Sequence, residues 1–300
     1  MKPSKNGLSY LILDGFWLKI IALLTMTIDH VGVALGMYYG ENPQVMAIVN
    51  VCRIIGRLAL PIFCFLIVEG VLHTRNFKRY LLNMGVIAAA VLISQIFMEY
   101  VMKLRVAQGN IFFDLILGAI AVKCLMDKRI WIKAIALLPI AFGVVSFIFY
   151  GLDFSGAPIA KYFPYFLRSQ YHWYSIALVV AFYLSYPIAK WLLNNTSSFT
   201  GLDYEMTKDN NLYRIVVNSI SILFLSIITI GLYLIGLFMD PIKVFWDIGL
   251  QNYALISCAL LLLYNGKRGY NSIAFKYGCY IYYPLHILLA YGIVYLTFIL

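Results

Sequence analysis

The chain has 300 residues, of which 63% are hydrophobic and only 12% charged, and its mean hydropathy is +0.84. A soluble domain of this size cannot solvate so much apolar surface, so composition leaves an all-α, polytopic membrane helical bundle. The net charge of +10 would suggest a nucleic-acid partner in a soluble chain. Here it reads as loop charge that sets topology, and no nucleic acid is expected.

Residues 1–17 read as a cytoplasmic tail. The stretch Leu8–Leu13 is too short for a signal-peptide core, and Asp14 interrupts it. Nine apolar runs follow, each long enough to cross a bilayer: 18–37, 46–72, 80–102, 110–126, 130–151, 171–193, 213–239, 248–264 and 274–299. The second is long, and Pro61 is expected to kink it after a first third that carries Arg53 and Arg57. The segment 194–212 reads as the longest polar loop, and the whole chain, 1–300, as a single domain. No inverted repeat of the transporter kind is evident. The five cysteines fall in or beside apolar runs without CxxC spacing, and no metal-ligand motif is present, so no metal is expected.

With the N-terminus inside, 16 of the 23 Lys and Arg residues fall on the cytoplasmic side and seven on the other. The positive-inside rule therefore predicts a cytoplasmic N-terminus and an extracytoplasmic C-terminus, in a cell membrane crossed nine times.

Ionisable residues inside apolar runs are costly and read first as functional. Lys19 and His30 are eleven positions apart in the first run, almost three helical turns, so they share one helix face about 16 Å apart along the axis. Lys19 then sits at the cytoplasmic surface and His30 deep in the membrane. Asp29 lies about 100° around the helix from His30 and is expected to pair with Arg53 or Arg57 across a helix gap. Arg53 and Arg57, at i and i+4, share a face. They either neutralise carboxylates or bind an anion or developing oxyanion. Glu69 lies at the inner end of the second run, before the basic cluster Arg75, Lys78 and Arg79, which suits phosphates or simply sets topology. Asn110 and Asp114 open the fourth run as a polar pair aimed into the bundle. Tyr283 and His286 lie in the middle of the last run and complete the expected site lining.

The same residues carry a resemblance. Lys19 through Asp29-His30, Arg53-Ile54-Ile55-Gly56-Arg57 through Pro61 and Glu69-Gly70, Thr74-Arg75-Asn76, Tyr80, Asn110, Gly118 and Tyr283-Pro284-Leu285-His286 resemble the TraX family. That family is similar to a wider set of transmembrane acyltransferases. In one branch of that set, a basic residue, ten positions and a histidine mark the first helix. At Asp114 the chain departs from the pattern, where threonine is more usual. The resemblance implies acetyl transfer from cytoplasmic acetyl-CoA to an acceptor on the far side, a peptide amine or a glycan hydroxyl.

On that reading His30 is the general base, with Asp29, Arg53 and Arg57 completing the catalytic group. Lys19, Arg75, Lys78 and Arg79 would hold the phosphate-rich head of acetyl-CoA. The alternative is a secondary transporter of a small anion or proton that uses Asp29, His30, Arg53 and Arg57 as a relay. Self-association is left open by the sequence.

Overall fold

The computed structural model describes residues 10–101, 103, 109–208, 211–238 and 248–299, and every regular element among them is helical. Residues 1–9, the first part of the expected tail, lie outside the described residues. The expected tail boundary at residue 17 moves earlier. Helix α1 (Gly15–Tyr39) begins two residues before it, because the Asp14 carboxylate caps the helix by accepting from the backbone N–H of Phe16 and Trp17, both at 3.0 Å.

The second apolar run is broken into α2 (Pro43–Gly56) and α3 (Ala59–His73). The break falls at Arg57–Leu58, four residues ahead of the expected Pro61 kink. The proline ring collides with the carbonyl four positions back, that of Arg57, while Pro61 itself fits the first turn of α3, where no N–H is required. The interruption therefore lands on the functional-looking arginine.

Next come α4 (Phe77–Tyr100), α5 (Ile111–Leu125), α6 (Ile130–Ile135) and α7 (Leu137–Phe154). Helix α8 (His172–Thr200) runs through the first part of the expected polar loop 194–212. Thr196, Ser197 and Thr200 fold their hydroxyls back onto carbonyls of the preceding turn, and Gly201 ends the helix at φ 67°. Of the rest of that segment, Tyr204–Thr207 forms a single turn, α9. Helices α10 (Asn211–Phe238), α11 (Ile248–Gln251), α12 (Ser257–Leu262) and α13 (Ile273–Ile299) complete the chain.

Among the described residues, six stretches, against the nine expected, are long and apolar enough to cross a membrane: 15–39, 43–73, 77–100, 130–154, 172–200 and 211–238. The protein is therefore a multi-pass helical membrane protein. Helix α1 shows how such a span is built. Leu18, Ala22, Met26 and Asp29 form its buried stripe, while Trp17, Leu24, Ile28 and Val31 on the other side are exposed and apolar, as a lipid-facing surface requires.

Helices α1 and α2 form a close antiparallel hairpin. A side chain at Gly32 would collide with Cys52, and one at Gly36 would crowd Val49. This small-residue seam lets the backbones approach in a lipid environment, where apolar packing rather than water expulsion holds helices together. Helix α13 lies against α1 in the same direction. Cys279 neighbours Lys19, Tyr282 bonds Thr27, and His286 bonds His30.

Candidate functional site

Asp29 lies where α1 meets the α2–α3 break. Arg53 Nη1 donates to both of its oxygens, at 3.0 and 3.1 Å, and Arg57 Nη2 donates to Oδ1 at 2.8 Å. Arg57 Nε also donates to the carbonyl of Arg53 at 3.2 Å, which uses an acceptor near the helix end. Gly56 makes the approach feasible. A Cβ there would lie 2.2 Å from the Asp29 Cβ. One carboxylate thus holds two guanidinium groups, and the triad keeps a net positive charge at a depth where each unpaired ion would be very costly.

His30 turns away from this triad. Its Nδ1 lies 3.0 Å from the carbonyl of Met26 and 3.1 Å from Nε2 of His286. His286 Nδ1 lies 3.1 Å from the carbonyl of Tyr282. A carbonyl only accepts, so both histidines carry their hydrogen on Nδ1 when neutral. His286 Nε2 is then a lone pair facing the Nδ1–H of His30, and His30 Nε2 remains unprotonated and without a protein partner. The Tyr282 ring stacks on His286 with 10° between planes, and its hydroxyl bonds Thr27 Oγ1 at 2.5 Å.

His30 and Asp29 border a cavity of about 60 Å³, room for a few small groups, together with Leu60, Phe63, Gln95, Tyr171, Tyr283 and Tyr291. Arg53, Arg57 and His286 stand behind this lining rather than in it. Gln95 and Tyr291 are almost fully buried, and their Oε1 and hydroxyl have no hydrogen-bond partner. The Gln95 orientation is fixed because its amide nitrogen donates to the carbonyl of Gly109 at 2.8 Å. Sequence reasoning missed Gln95, Tyr171 and Tyr291. The only available signal was a lone polar amide or hydroxyl in an apolar run.

Asn110 and Asp114 build the wall behind the cavity instead of lining it. Asn110 caps α5 by accepting from Phe112 N–H at 3.0 Å, and its amide donates to the carbonyl of Ala88 at 2.9 Å. Asp114 is fully buried and accepts four hydrogen bonds: Ser169 Oγ at 2.8 Å, Gln170 N–H at 2.7 Å, Tyr171 N–H at 3.0 Å and Ser175 Oγ at 2.5 Å. These bonds fix the irregular backbone ahead of α8, which pairs with the entry to α5 through Asn110 N–H and the carbonyl of Arg168 at 2.9 Å. Two backbone N–H groups just ahead of α8 therefore meet this carboxylate inside the protein and satisfy it together with the two serine hydroxyls.

The remaining expected residues lie elsewhere. Glu69 accepts from the Tyr186 hydroxyl and from Arg214 Nη1 at 2.7 Å, and the Arg214 guanidinium lies over the rings of Tyr186 and Tyr264. This ties α3, α8 and α10 together at the end of the bundle that holds the start of α1. Arg75, Lys78 and Arg79 are exposed at the α3–α4 turn at that same end. Lys19 is half-buried against α13 and does not border the cavity. On α1 between Lys19 and His30 stands Thr27, joined to Tyr282. Among the described residues no cluster of His, Cys, Asp and Glu could hold a metal ion.

An internal histidine bordering a small cavity of mixed polar and apolar lining, backed by an arginine–aspartate triad, defines a membrane protein with a chemically equipped interior. The TraX protein family profile matches residues 15–294, and the chain belongs to that family. It is also similar to a probable fimbrial assembly protein, FimC of serogroup H1, from Dichelobacter nodosus. The identity is 31% over 115 residues, which are 36% of this chain and 45% of that protein. The chain thus spans less than half the length of this curated relative. No solved structure matches the chain.

Proposed function

We propose that the protein is an acetyltransferase of the cell membrane that carries acetyl groups from cytoplasmic acetyl-CoA to an amine or hydroxyl on the extracytoplasmic side. The observation that carries this reading is His30. Its Nδ1 is committed to Met26 and His286, while the ring borders the cavity with Nε2 free to accept a proton. Family membership supports the reaction class, since TraX proteins are associated with pilin acetylation. A relative's printed role in fimbrial assembly is in keeping with a surface-polymer acceptor.

The reading gives the bundle nine crossings with the N-terminus inside. Helices α1 and α13 lying in the same direction suit an odd number of crossings. The phosphates of acetyl-CoA would rest on Arg75, Lys78 and Arg79, which share one end of the bundle with Lys19. The pantetheine arm would pass along the α1–α13 seam, which requires the Thr27–Tyr282 contact to part. The nucleophile's lone pair attacks the thioester carbonyl carbon and its proton moves to His30 Nε2. The C–S bond then breaks and the departing thiolate takes that proton, so the base is regenerated. Arg53 keeps N–H donors beyond those given to Asp29 and is the group suited to the developing oxyanion, worth about 3 kcal/mol per donor.

The test uses purified protein in lipid bilayers. Acetyl-CoA should raise its thermal stability and acetate should not, and cells lacking the gene should lose an acetyl mass increment from a surface polymer or protein. Ion-coupled flux without acetyl-CoA, in the absence of those effects, would favour the transporter alternative instead.

A further inference from the structure

His30 and His286 come from opposite ends of the sequence, yet their rings are 4.9 Å apart and share a nitrogen–nitrogen contact of 3.1 Å. Simple packing does not need this arrangement. His286 is held from three sides: its Nδ1 by the Tyr282 carbonyl, its face by the stacked Tyr282 ring, and its edge by Tyr283 at 5.6 Å. Tyr282 is fixed in turn by Thr27, whose hydroxyl donates to the carbonyl of Leu23 at 2.8 Å, so the tyrosine hydroxyl is the donor in the 2.5 Å contact. The result is a directed chain that aims one lone pair, Nε2 of His286, at the Nδ1–H of His30.

We propose that His286 is a positioning residue that takes up the Nδ1 proton of His30 while His30 is protonated at Nε2, so that the two imidazoles hold the transferred proton together. The inference rests on the acetyl-transfer reading for its catalytic use. When the nucleophile gives its proton to His30 Nε2, the His30 Nδ1 proton shifts to His286 Nε2, and the positive charge moves onto His286, whose Nδ1–H already faces the Tyr282 carbonyl. Return of both protons along the same path delivers one to the departing thiolate and restores both neutral rings. An imidazolium away from water is costly in a low-dielectric interior. Spreading the charge over two hydrogen-bonded rings relieves this.

The other titratable groups around the pair are Asp29 from α1, Arg53 and Arg57 from α2 and its end, Tyr171 ahead of α8, and Tyr282, Tyr283 and Tyr291 from α13. Helix α4 contributes Gln95, which does not titrate.

The experiment is nitrogen-15 histidine magnetic resonance of the full chain in bilayers across pH, with kinetics on the same preparations. In the wild type the two rings should titrate as a coupled pair, both sets of signals moving in both steps. In His286→Leu, His30 should titrate in a single step. His286→Leu should lower kcat roughly 100-fold and His286→Gln, which accepts the hydrogen bond but not the proton, roughly 10-fold, with the acetyl-CoA KM within about twofold. Independent titration in the wild type, an unchanged His30 titration in His286→Leu, or full kcat in that variant would each overturn the proposal. Coupled titration in a wild-type protein that transfers no acetyl group would uphold the pairing and overturn the function reading instead.

Discussion

Gly56 and Asp29 occupy each other's space. A side chain on Gly56 would put its Cβ 2.2 Å from the Asp29 Cβ, so the carboxylate reaches Arg53 and Arg57 only because residue 56 has none. The proline-induced break after Gly56 then turns Arg57 toward the same carboxylate. Glycine, break and ion triad are one device.

Gly56→Ala should therefore cost about 1–3 kcal/mol of stability, as overpacking does. It should also lower acetyl transfer more than it lowers folded yield, because Asp29 must shift away from both arginines. Denaturation in detergent alongside turnover of the folded fraction separates the two effects.

Asp29→Ala removes the carboxylate that Arg53 and Arg57 share, and should destabilise the protein by about 3–5 kcal/mol. Asp29→Asn, which keeps the shape, should cost less. A thermal-shift series of the two variants checks the order, and equal loss in both would mean that the carboxylate's shape and hydrogen bonding contribute nothing beyond its charge.

Asp114→Asn should be more damaging than its conservative form suggests. The carboxylate accepts four bonds, three on Oδ1 and one on Oδ2, so an amide nitrogen would face the Gln170 N–H even in the better of its two orientations. A loss of about 2–4 kcal/mol is expected, along with increased proteolysis between 155 and 171, where the backbone is held by this side chain.

These predictions mark where the sequence was legible. Among the described residues, six of the nine expected apolar runs coincide with helices long and apolar enough to cross a membrane, because hydropathy and length determine helices in lipid, while 110–126 holds a shorter helix and 248–264 is broken into short turns. The pairing of Asp29 with the arginines followed from the cost of an unpaired charge. Position 57 as the break was within reach, since a proline acts four residues back. Asn110 and Asp114 were recognised as important, but their partners lie 55 or more residues away for Asp114 and in another helix for Asn110, and no periodicity reports such bonds. The polar segment after residue 194 looked like a loop because Ser, Thr and Asn disfavour helix interiors. Here their hydroxyls fold back on the preceding turn and let α8 continue to Gly201.

Tyr282→Phe keeps the ring stacked on His286 and removes only the hydroxyl that joins Thr27 across the α1–α13 seam. If the pantetheine arm passes there, the acetyl-CoA KM should fall by a few-fold while stability changes by about 1 kcal/mol or less. Lys78→Ala with Arg79→Ala should raise that KM about tenfold at low salt and less at high salt, as expected for exposed charges that attract phosphates. Measuring KM at two ionic strengths tests both variants in one series.

The most direct measurement of the central claim is vectorial acetyl transfer in sealed proteoliposomes. Labelled acetyl-CoA is supplied only on the side bearing the α3–α4 turn, and an amine or hydroxyl acceptor only on the other side. The account predicts label on the acceptor with wild-type protein and none with folded His30→Ala. Transfer by His30→Ala at the wild-type rate, or no transfer by a wild-type protein that binds acetyl-CoA, would contradict it.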